Sequence, residues 1–207
     1  MTACDDGRMT SHSFHGWVFI AASLDGFIAR PDGDLDWLTD PAPDPGTDRA
    51  RTHTPGHTCD TSADGATQPP AYEEFMAGID HLVMGRGTYE KILTFDSWPY
   101  ADKHVIVLGS TMHRGADDRV TVAHSVPEVV ETLEGRGARG VYVDGGKVIT
   151  EFLRRGLVDD LVVATAPVLL GRGIPLFGGL GADVLLEHVG TSYGDSGMVS
   201  SHYRVVH

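Results

Sequence analysis

Two adjacent glycines and a lysine form the first group of residues that could do chemistry. Gly145, Gly146 and Lys147 lie between an apolar strand-like run, 141–144, and a helix-like run, 148–153. Glycines at such a junction allow a tight turn and leave the N–H groups of the helix start uncovered. With a lysine beside them, these N–H groups can bind an anion. The stretch therefore predicts an anion-binding turn.

Two other strand-like runs end in the same way. Gly85 is followed by Arg86, and Gly109 is followed by Ser110. In α/β sheets ligands bind outside the carboxyl ends of the strands. We therefore expect these three strand ends, each followed or closed by a glycine, to lie on one rim of the sheet. A guanidinium can hold a phosphate by two hydrogen bonds, which makes Arg86 a candidate phosphate ligand.

Two phosphate-loop motifs fail when their context is considered. GRGARG (135–140) has the spacing of a dinucleotide fingerprint, but a helix-like run precedes it and a strand-like run follows it. The fingerprint requires the opposite order, so this segment is predicted to be a helix-to-strand loop. Around Lys147, Val148 replaces the Ser or Thr that would hold magnesium in a nucleoside-triphosphatase loop.

A calcium loop is also unsupported. Asp32, Asp34 and Asp36 have the spacing of its opening, but Trp37 and Pro43 stand where that loop needs a glycine and a bidentate glutamate.

A zinc site is the remaining metal hypothesis. His53, His57 and Cys59 have a suitable spacing, but they lack a clear fourth ligand. They lie within 41–70, a segment rich in Pro, Thr, Asp and Gly that is predicted to be a mobile insertion. We therefore predict no metal site.

Composition excludes several classes of function. The 207 residues carry a formal charge of −13, which argues against nucleic-acid binding, and no apolar run is long enough to cross a membrane. Two cysteines, Cys4 and Cys59, make a disulfide framework unexpected and agree with a cytoplasmic protein. We predict a flexible leader over 1–15 and a single domain over 16–207.

Strand-like and helix-like runs alternate along the chain. This order predicts an α/β fold with a mostly parallel sheet, and Ser125 and Glu128 have capping-box spacing. A turn at 194–197 predicts a C-terminal antiparallel hairpin. The predicted strands are 17–23, 81–85, 104–110, 119–125, 140–144, 160–170, 184–193 and 198–206, and the predicted helices are 71–79, 87–95, 126–134 and 147–155.

Taken together, these motifs resemble the dihydrofolate reductase superfamily. The resemblance is closest to stand-alone relatives of the reductase domain of riboflavin biosynthesis, and it implies a three-layer sandwich that binds NADPH. The stretches that carry it are AASLDGFIARPDGDLDWL (21–38), HLVMGRGTYEKI (81–92), HVIVLGS (104–110), VYVDGGKVITEFL (141–153) and LVDDLVVATAPVLLGRGIPLF (157–177).

The resemblance also assigns cofactor roles. It implies that the two glycines of the 145–146 turn back the cofactor diphosphate, that Arg86 contacts the 2′-phosphate, and that other residues contact the adenosine and nicotinamide ends. The implied adenosine-side residues are Gly109 and Ser110, the nicotinamide-side residues are Ala22 and Ile28, and the full set is Ala22, Ile28, Gly85, Arg86, Thr88, Gly109, Ser110, Gly145, Gly146, Lys147 and Val148.

The substrate side has fewer candidates. By resemblance, Asp25 lies near the substrate, although an Asp before a glycine is equally typical of a turn. Trp37, Tyr89 and Trp98 are candidates for an aromatic wall, with a place in the core as the alternative.

Two departures bear on the substrate. The segment 85–104 lacks a basic set matching the ribose-phosphate segment of the riboflavin reductases, and Ala71 stands where folate reductases place an acid four residues before a Phe. We therefore expect an NADPH-dependent reductase of a small pterin-like, aminopyrimidine-like or other conjugated substrate. The alternative is a non-catalytic nucleotide-binding module. The resemblance also implies a homodimer.

Overall fold

The computed structural model describes most of the chain. The described residues are 12–39, 68–115, 117–194 and 196–207. The three candidate zinc ligands, nearly all of the predicted 41–70 insertion and the first part of the predicted leader lie outside these ranges, so those expectations stay predictions.

The described residues form ten strands and five helices. In chain order they are β1 (His15–Ser23), β2 (Phe27–Ala29), α1 (Asp36–Thr39), α2 (Tyr72–Ala77), β3 (His81–Gly85), α3 (Arg86–Ile92), β4 (His104–Leu108), β5 (Val120–Ala123), α4 (Val126–Gly135), β6 (Gly140–Asp144), α5 (Gly146–Arg154), β7 (Asp160–Ala166), β8 (Ile174–Pro175), β9 (Leu186–Tyr193) and β10 (Val199–Val205).

The fold is an eight-stranded, mostly parallel sheet in the order β5-β4-β3-β6-β1-β7-β10-β9. Strands β5 to β7 of this order run parallel, whereas β10 pairs antiparallel with both β7 and β9. A separate two-stranded sheet joins β2 and β8. The predicted α/β sandwich with a C-terminal antiparallel hairpin is therefore confirmed.

Helices cover both faces of the sheet because successive strand residues alternate between the faces. On one face Val83, Ile106 and Val143 pack with the buried residues of α4 and α5. On the other face Leu82 and Met84 pack with α2 and α3. These two apolar layers fix the strand ends relative to the helices that follow them.

Strands β1 and β6 separate towards their carboxyl ends. Their ladder runs from His15–Gly140 only to Trp17–Tyr142, although β1 continues to Ser23 and pairs with β7 throughout. The Tyr142 hydroxyl donates to the Phe19 carbonyl at 2.8 Å, which satisfies a backbone acceptor on β1 beyond the end of the ladder. The sheet is thus split between its two central strands.

Several predicted boundaries differ from the structure. The predicted strand 160–170 ends at Ala166, directly before Pro167, which has no N–H to continue a ladder. The predicted leader is too long at its carboxyl end, because Phe14 is buried and β1 begins at His15. The predicted helix-to-strand loop over 135–140 is confirmed for 136–139, with Gly137 at a φ of +66°, whereas Gly135 ends α4 and Gly140 begins β6.

Candidate functional site

The glycine-bearing strand ends lie together on one rim of the sheet. A Cβ added to Gly85 would lie 3.3 Å from Cγ2 of Val148 on α5. A Cβ added to Gly109 would lie 3.5 Å from Cβ of Arg86 on α3. The exits of β3 and β4 and the start of α5 are therefore close neighbours, as the sequence predicts.

Gly145 and Gly146 are required by the chain's own packing. Gly145 has φ +89°, and a Cβ there would lie 2.5 Å from Oγ1 of Thr88. At Gly146 a Cβ would lie 2.4 Å from the Pro175 carbonyl oxygen and 3.4 Å from Cδ1 of Ile28. No cis peptide occurs in the described ranges, so the bond between the two glycines is trans. The turn thus brings α5 against α3, β2 and β8.

The amino terminus of α5 has no side-chain cap. Its first backbone bond runs from the Ile149 N–H to the Gly145 carbonyl at 2.9 Å, and the preceding N–H groups of a helix lack such partners. Helix α4 differs, because the Ser125 hydroxyl accepts from the Glu128 N–H. Lys147 is exposed in the first turn of α5. This uncapped turn with a cation fits a phosphate group.

Arg86 is held at the neighbouring strand exit. Its Nε donates to Glu90 at 2.7 Å, and its Nη1 donates to Oγ1 of Thr111 at 3.1 Å. Thr111 directly follows Ser110 in the exit of β4. The Arg86 side chain is 54% exposed, so the remaining guanidinium edge faces solvent beside the rim.

Ala22 and Ile28 lie on the other side of the 145–146 turn. Ala22 is buried near the end of β1 in the same apolar cluster as Val148, and Ile28 packs against that cluster. These residues give this part of the rim an apolar character.

Asp25 is engaged by the chain itself. Its carboxylate accepts from the Ser23 hydroxyl at 2.6 Å, the Leu170 N–H at 3.1 Å and the Gly171 N–H at 2.6 Å. The Ser23 hydrogen bond is the main cause that lowers the pKa of Asp25, and the Gly171 and Leu170 bonds add to it. Asp25 is exposed and fixed between the end of β1 and the loop after β7. It can accept hydrogen bonds but does not carry a proton at neutral pH.

Two of the three aromatic candidates lie together, with the Tyr89 and Trp98 ring centroids 6.3 Å apart, and the third is on a different element, α1. Tyr89 is buried in the α3 side of the core, and its hydroxyl donates to Asp117 at 2.7 Å. Trp98 packs on the same cluster and lies under the guanidinium of Arg119, 4.7 Å from the ring centroid. Trp37 is buried on α1 and belongs to neither core cluster. The alternative of a packing role fits the Tyr89 and Trp98 positions.

Sequence reasoning assigned no role to Asp144, the last residue of β6. Its Oδ1 accepts from the Gly145 N–H at 2.7 Å. Burial raises the pKa of Asp144 to about 6, and the Gly145 bond only partly opposes this. Burial is the main cause that raises the pKa values of Tyr72, Tyr100 and Tyr142, and the charge of Asp144 adds to this effect. A protonatable carboxyl therefore lies at the rim, beside the split between β1 and β6.

Other kinds of site are not found in the described ranges. No group of three His, Cys, Asp or Glu side chains is arranged to hold a metal ion there. No helix among those residues has the length and apolar character to cross a membrane. A cavity of about 480 Å³ lined by His15, Asp80 and Arg139 lies at the amino ends of the strands, opposite the candidate rim.

The fold and the rim together define a class of protein: a dihydrofolate-reductase-like α/β protein with an uncapped, glycine-bearing strand-to-helix turn. Residues 15–200 match the sequence profile of the family described as "RibD C-terminal domain". The chain is a member of that family. This family comprises reductases of the riboflavin-biosynthesis type, which supports an oxidoreductase role.

Individual relatives agree with this assignment. A putative riboflavin biosynthesis protein from Shewanella sp. PV-4 is 33% identical, with a TM-score of 0.73 over 94% of this chain and 100% of that chain. Dihydrofolate reductase from Enterococcus faecalis, complexed with NADP(H) and RAB-propyl, shares the fold at 20% identity, with a TM-score of 0.62 over 95% of this chain and 99% of that chain. The uncharacterized protein YwjB of Bacillus subtilis is 29% identical over 90% of this chain and 95% of its own.

Proposed function

We propose that this protein is an NADPH-dependent reductase of a small conjugated heterocycle, pterin-like or aminopyrimidine-like. The observation that carries the proposal is the split between β1 and β6. At that point the strand order of the sheet changes direction, and in open α/β sheets such a switch point is where ligands bind. Uncapped α5 and protonatable Asp144 border the same opening.

The cofactor would be held mainly by backbone N–H groups. The first turn of α5, with Gly146, Lys147 and Val148, would hold the diphosphate. Gly85 and Thr88 would complete the diphosphate site. Arg86 would hold the 2′-phosphate that distinguishes NADPH from NADH, with Gly109 and Ser110 at the adenosine. Ala22 and Ile28 would face the nicotinamide.

The chain's own residues would position the substrate. Asp25 would orient it by accepting hydrogen bonds, because its own donors fix the carboxylate in an ionised form. A bound reduced nicotinamide would supply a hydride, which is chemistry the side chains cannot provide. The protein would then hold the acceptor carbon at the split and exclude water from it.

A turnover screen tests this proposal. The protein is incubated with NADPH and a panel of dihydropteridines, aminouracils, aminopyrimidines and quinone-like compounds, and the loss of absorbance at the nicotinamide wavelength is followed. Sustained NADPH oxidation with one heterocycle class supports the reductase. Binding of NADPH without turnover of any compound supports instead a non-catalytic nucleotide-binding module.

A matched variant pair separates turnover at this site from a contaminating activity. Lys147→Ala removes the cation of the α5 turn, and Lys103→Ala removes a cation before β4 that pairs with Asp102. The first variant is expected to weaken NADPH binding about threefold to tenfold, since a charged hydrogen bond contributes about 1 kcal/mol at an exposed site. The second is expected to behave like the unaltered protein.

A further inference from the structure

Arg86 keeps only part of its guanidinium for a ligand. A guanidinium has five N–H groups in a planar fork. In Arg86 the Nε–H donates to Oε1 of Glu90 at 2.7 Å, and Nη1 donates to Oγ1 of Thr111 at 3.1 Å. The edge that contains Nε is therefore closed to a second acceptor. A phosphate that takes two hydrogen bonds must bind at the outer edge, between Nη1 and Nη2.

Glu90 lies beside Arg86 because residues four apart on a helix share one face. Both belong to α3, and the side chains of Arg86 and Glu90 are 54% and 55% exposed. Within the part of the chain that the structure describes, Glu90 makes no other side-chain hydrogen bond or ion pair. Its second carboxylate oxygen, Oε2, is therefore open to a ligand that binds at Arg86.

These two side chains have opposite preferences for the 2′ position of a bound dinucleotide. A guanidinium attracts the 2′-phosphate of NADPH, whereas a carboxylate repels that phosphate and accepts a hydrogen bond from the ribose 2′-hydroxyl of NADH. Arg86 therefore favours NADPH, and Glu90 favours NADH. Because the two groups are in contact, a phosphate held by Arg86 lies within a few ångströms of the Glu90 charge.

A second arginine near the carboxyl end of β4 is also paired with a carboxylate. Arg114 binds the carboxylate of Glu128, which also accepts from the His124 N–H at 2.9 Å. Nδ1 of the His124 ring lies 2.9 Å from the Gly109 carbonyl oxygen, which places this pair next to β4. Arg114 thus adds little net positive charge, and Arg86 has to attract the 2′-phosphate against its own glutamate.

Resting on the proposed function, we propose that Glu90 sets the cofactor selectivity of this protein. Its carboxylate opposes the attraction of Arg86 for the 2′-phosphate of NADPH and accepts the 2′-hydroxyl of NADH. The preference for NADPH that Arg86 creates is thereby lowered, and both nucleotides bind. Glu90 is a selectivity-determining residue at the adenosine end and takes no part in hydride transfer.

Removing the Glu90 charge is expected to raise the preference for NADPH. At pH 7.5 a phosphate monoester carries about two negative charges. Repulsion by an exposed carboxylate a few ångströms away changes its affinity about threefold to tenfold. Loss of the charged acceptor for the 2′-hydroxyl weakens NADH binding about threefold. The two effects change the ratio of the Kd values in the same direction.

The first test measures the Kd values of NADPH and NADH by nicotinamide fluorescence at pH 7.5. The proteins are the unaltered chain, Glu90→Gln and Glu134→Gln. The glutamine in Glu90→Gln keeps an oxygen that can accept from Nε of Arg86 but removes the charge. The control Glu134→Gln removes an exposed acid from the last turn of α4, at the opposite rim. We expect the preference for NADPH to rise about tenfold in Glu90→Gln and to stay unchanged in the control.

This expectation differs in sign from that of a purely positioning role. If Glu90 serves only to hold Arg86 in place, a weaker neutral acceptor loosens the guanidinium and NADPH binds less tightly. The preference for NADPH would then fall in Glu90→Gln or stay as it is. Either result overturns the proposal.

A second pair of nucleotides locates the effect. Adenosine 2′,5′-bisphosphate and adenosine 5′-monophosphate differ only in the 2′-phosphate, and neither contains nicotinamide. Calorimetry is expected to show that Glu90→Gln binds the bisphosphate about threefold tighter or more, with no tighter binding of the monophosphate. Equal gains for the two nucleotides would place the effect away from the 2′ position and overturn the proposal.

Salt separates charge repulsion from a change of shape. Exposed charges are screened more strongly as the ionic strength rises. The gain in bisphosphate affinity in Glu90→Gln is therefore expected to shrink between about 0.02 M and about 0.5 M salt. A gain of the same size at both salt concentrations would mean that shape and not charge causes it, which overturns the proposal.

Glu90→Ala keeps the test decisive if Glu90→Gln does not fold. This variant removes the carboxylate together with the acceptor for Nε of Arg86. We expect NADH binding to weaken about threefold, as in Glu90→Gln, because neither variant offers a carboxylate to the 2′-hydroxyl. Unchanged NADH binding in folded Glu90→Ala overturns the proposal.

Binding to the unaltered chain separates this inference from the proposed function. If neither NADPH nor NADH binds, the proposed function fails and the selectivity role of Glu90 fails with it. If the nucleotides bind and Glu90→Gln keeps the original preference, only the selectivity role is overturned.

Discussion

Gly145 joins two constraints that no other residue type meets. Its φ of +89° is strained for any residue with a side chain, and a Cβ would lie 2.5 Å from Thr88 Oγ1. We expect Gly145→Ala to lower the free energy of unfolding by about 2 kcal/mol or more, measured by urea denaturation, because strain and contact act together. Gly87→Ala is the control, since a Cβ there meets nothing within 4 Å. A Gly145→Ala protein as stable as the control would contradict the structure of this turn.

Arg86 is the residue whose removal tests cofactor choice. Arg86→Ala is expected to reduce the preference for NADPH over NADH at least tenfold, because a charge-assisted phosphate contact contributes about 1.5–3 kcal/mol. The Kd values of both nucleotides are measured by nicotinamide fluorescence. Arg139→Ala serves as the charge-matched control, since that side chain is 91% exposed on the opposite rim. An unchanged preference in Arg86→Ala would refute the 2′-phosphate role.

Among the secondary-structure elements, the amino ends of β1 and β7 and the carboxyl-terminal half of the antiparallel β10 are joined by a histidine–carboxylate cluster. Asp160 accepts from His15 at 2.7 Å and from His202 at 2.6 Å. Asp159 accepts from His12 and from His207, each at 3.3 Å. Both ends of the described chain are thereby attached to the start of β7.

This cluster makes stability depend on pH. The pKa of His15 is raised, chiefly by its hydrogen bond to Asp160. The stabilisation that His15 contributes is therefore present below pH 6.5 and is lost as the pH rises through the folded-state pKa. The paired histidines lower the pKa of Asp160 against its burial, so that contribution is lost in acid. We therefore expect the unfolding free energy to fall as the pH rises above 6.5, by less than about 1 kcal/mol since His15 is half-exposed.

The measurement is urea denaturation of the unaltered protein and two variants across that range. His15→Gln removes the titrating group, and His113→Gln removes an exposed histidine from the loop after β4. The decline should be smaller in His15→Gln and preserved in His113→Gln. Equal declines in all three proteins would show that the cluster does not cause the pH dependence.

Elements with a strong local signal were predictable, and those defined by distant contacts were not. Strand 140–144 matches β6 to the residue, because an apolar run ends at two glycines. Helix 126–134 is confirmed by the Ser125 cap. The short β8 strand, by contrast, exists only through pairing with β2. The position of Asp144 beside the split depends on where the β1–β6 ladder ends, which no local pattern encodes.

In the whole molecule, strand β9 is the candidate surface for assembly into a dimer. Strand β9 is the edge of the sheet and carries exposed apolar side chains, Leu186 (44%) and Tyr193 (67%). An exposed apolar edge strand favours pairing with another chain, and the family resemblance implies a homodimer. The chain's charge of −13 opposes association at low salt, so the test belongs at about 0.15 M salt, where screening acts within about 8 Å.

Light scattering tests the homodimer. We expect a mass near twice 22.2 kDa for the unaltered chain and near 22.2 kDa for a Leu186→Glu, Tyr193→Glu double variant. The control Leu93→Glu changes an exposed leucine after α3 and should leave the dimer intact. A monomeric unaltered chain refutes the homodimer, and a dimeric double variant refutes the β9 interface.

The proposed function requires that backbone N–H groups at the start of α5 bind the cofactor diphosphate. Its most direct measurement is a titration of ¹⁵N-labelled protein with NADPH, followed through the assigned amide signals. We expect the largest shifts at Gly146, Lys147 and Val148, with smaller ones at the carboxyl ends of β3 and β4. Shifts centred on the opposite rim, around Asp80 and Arg139, or no saturable shift at the α5 amides, would contradict it.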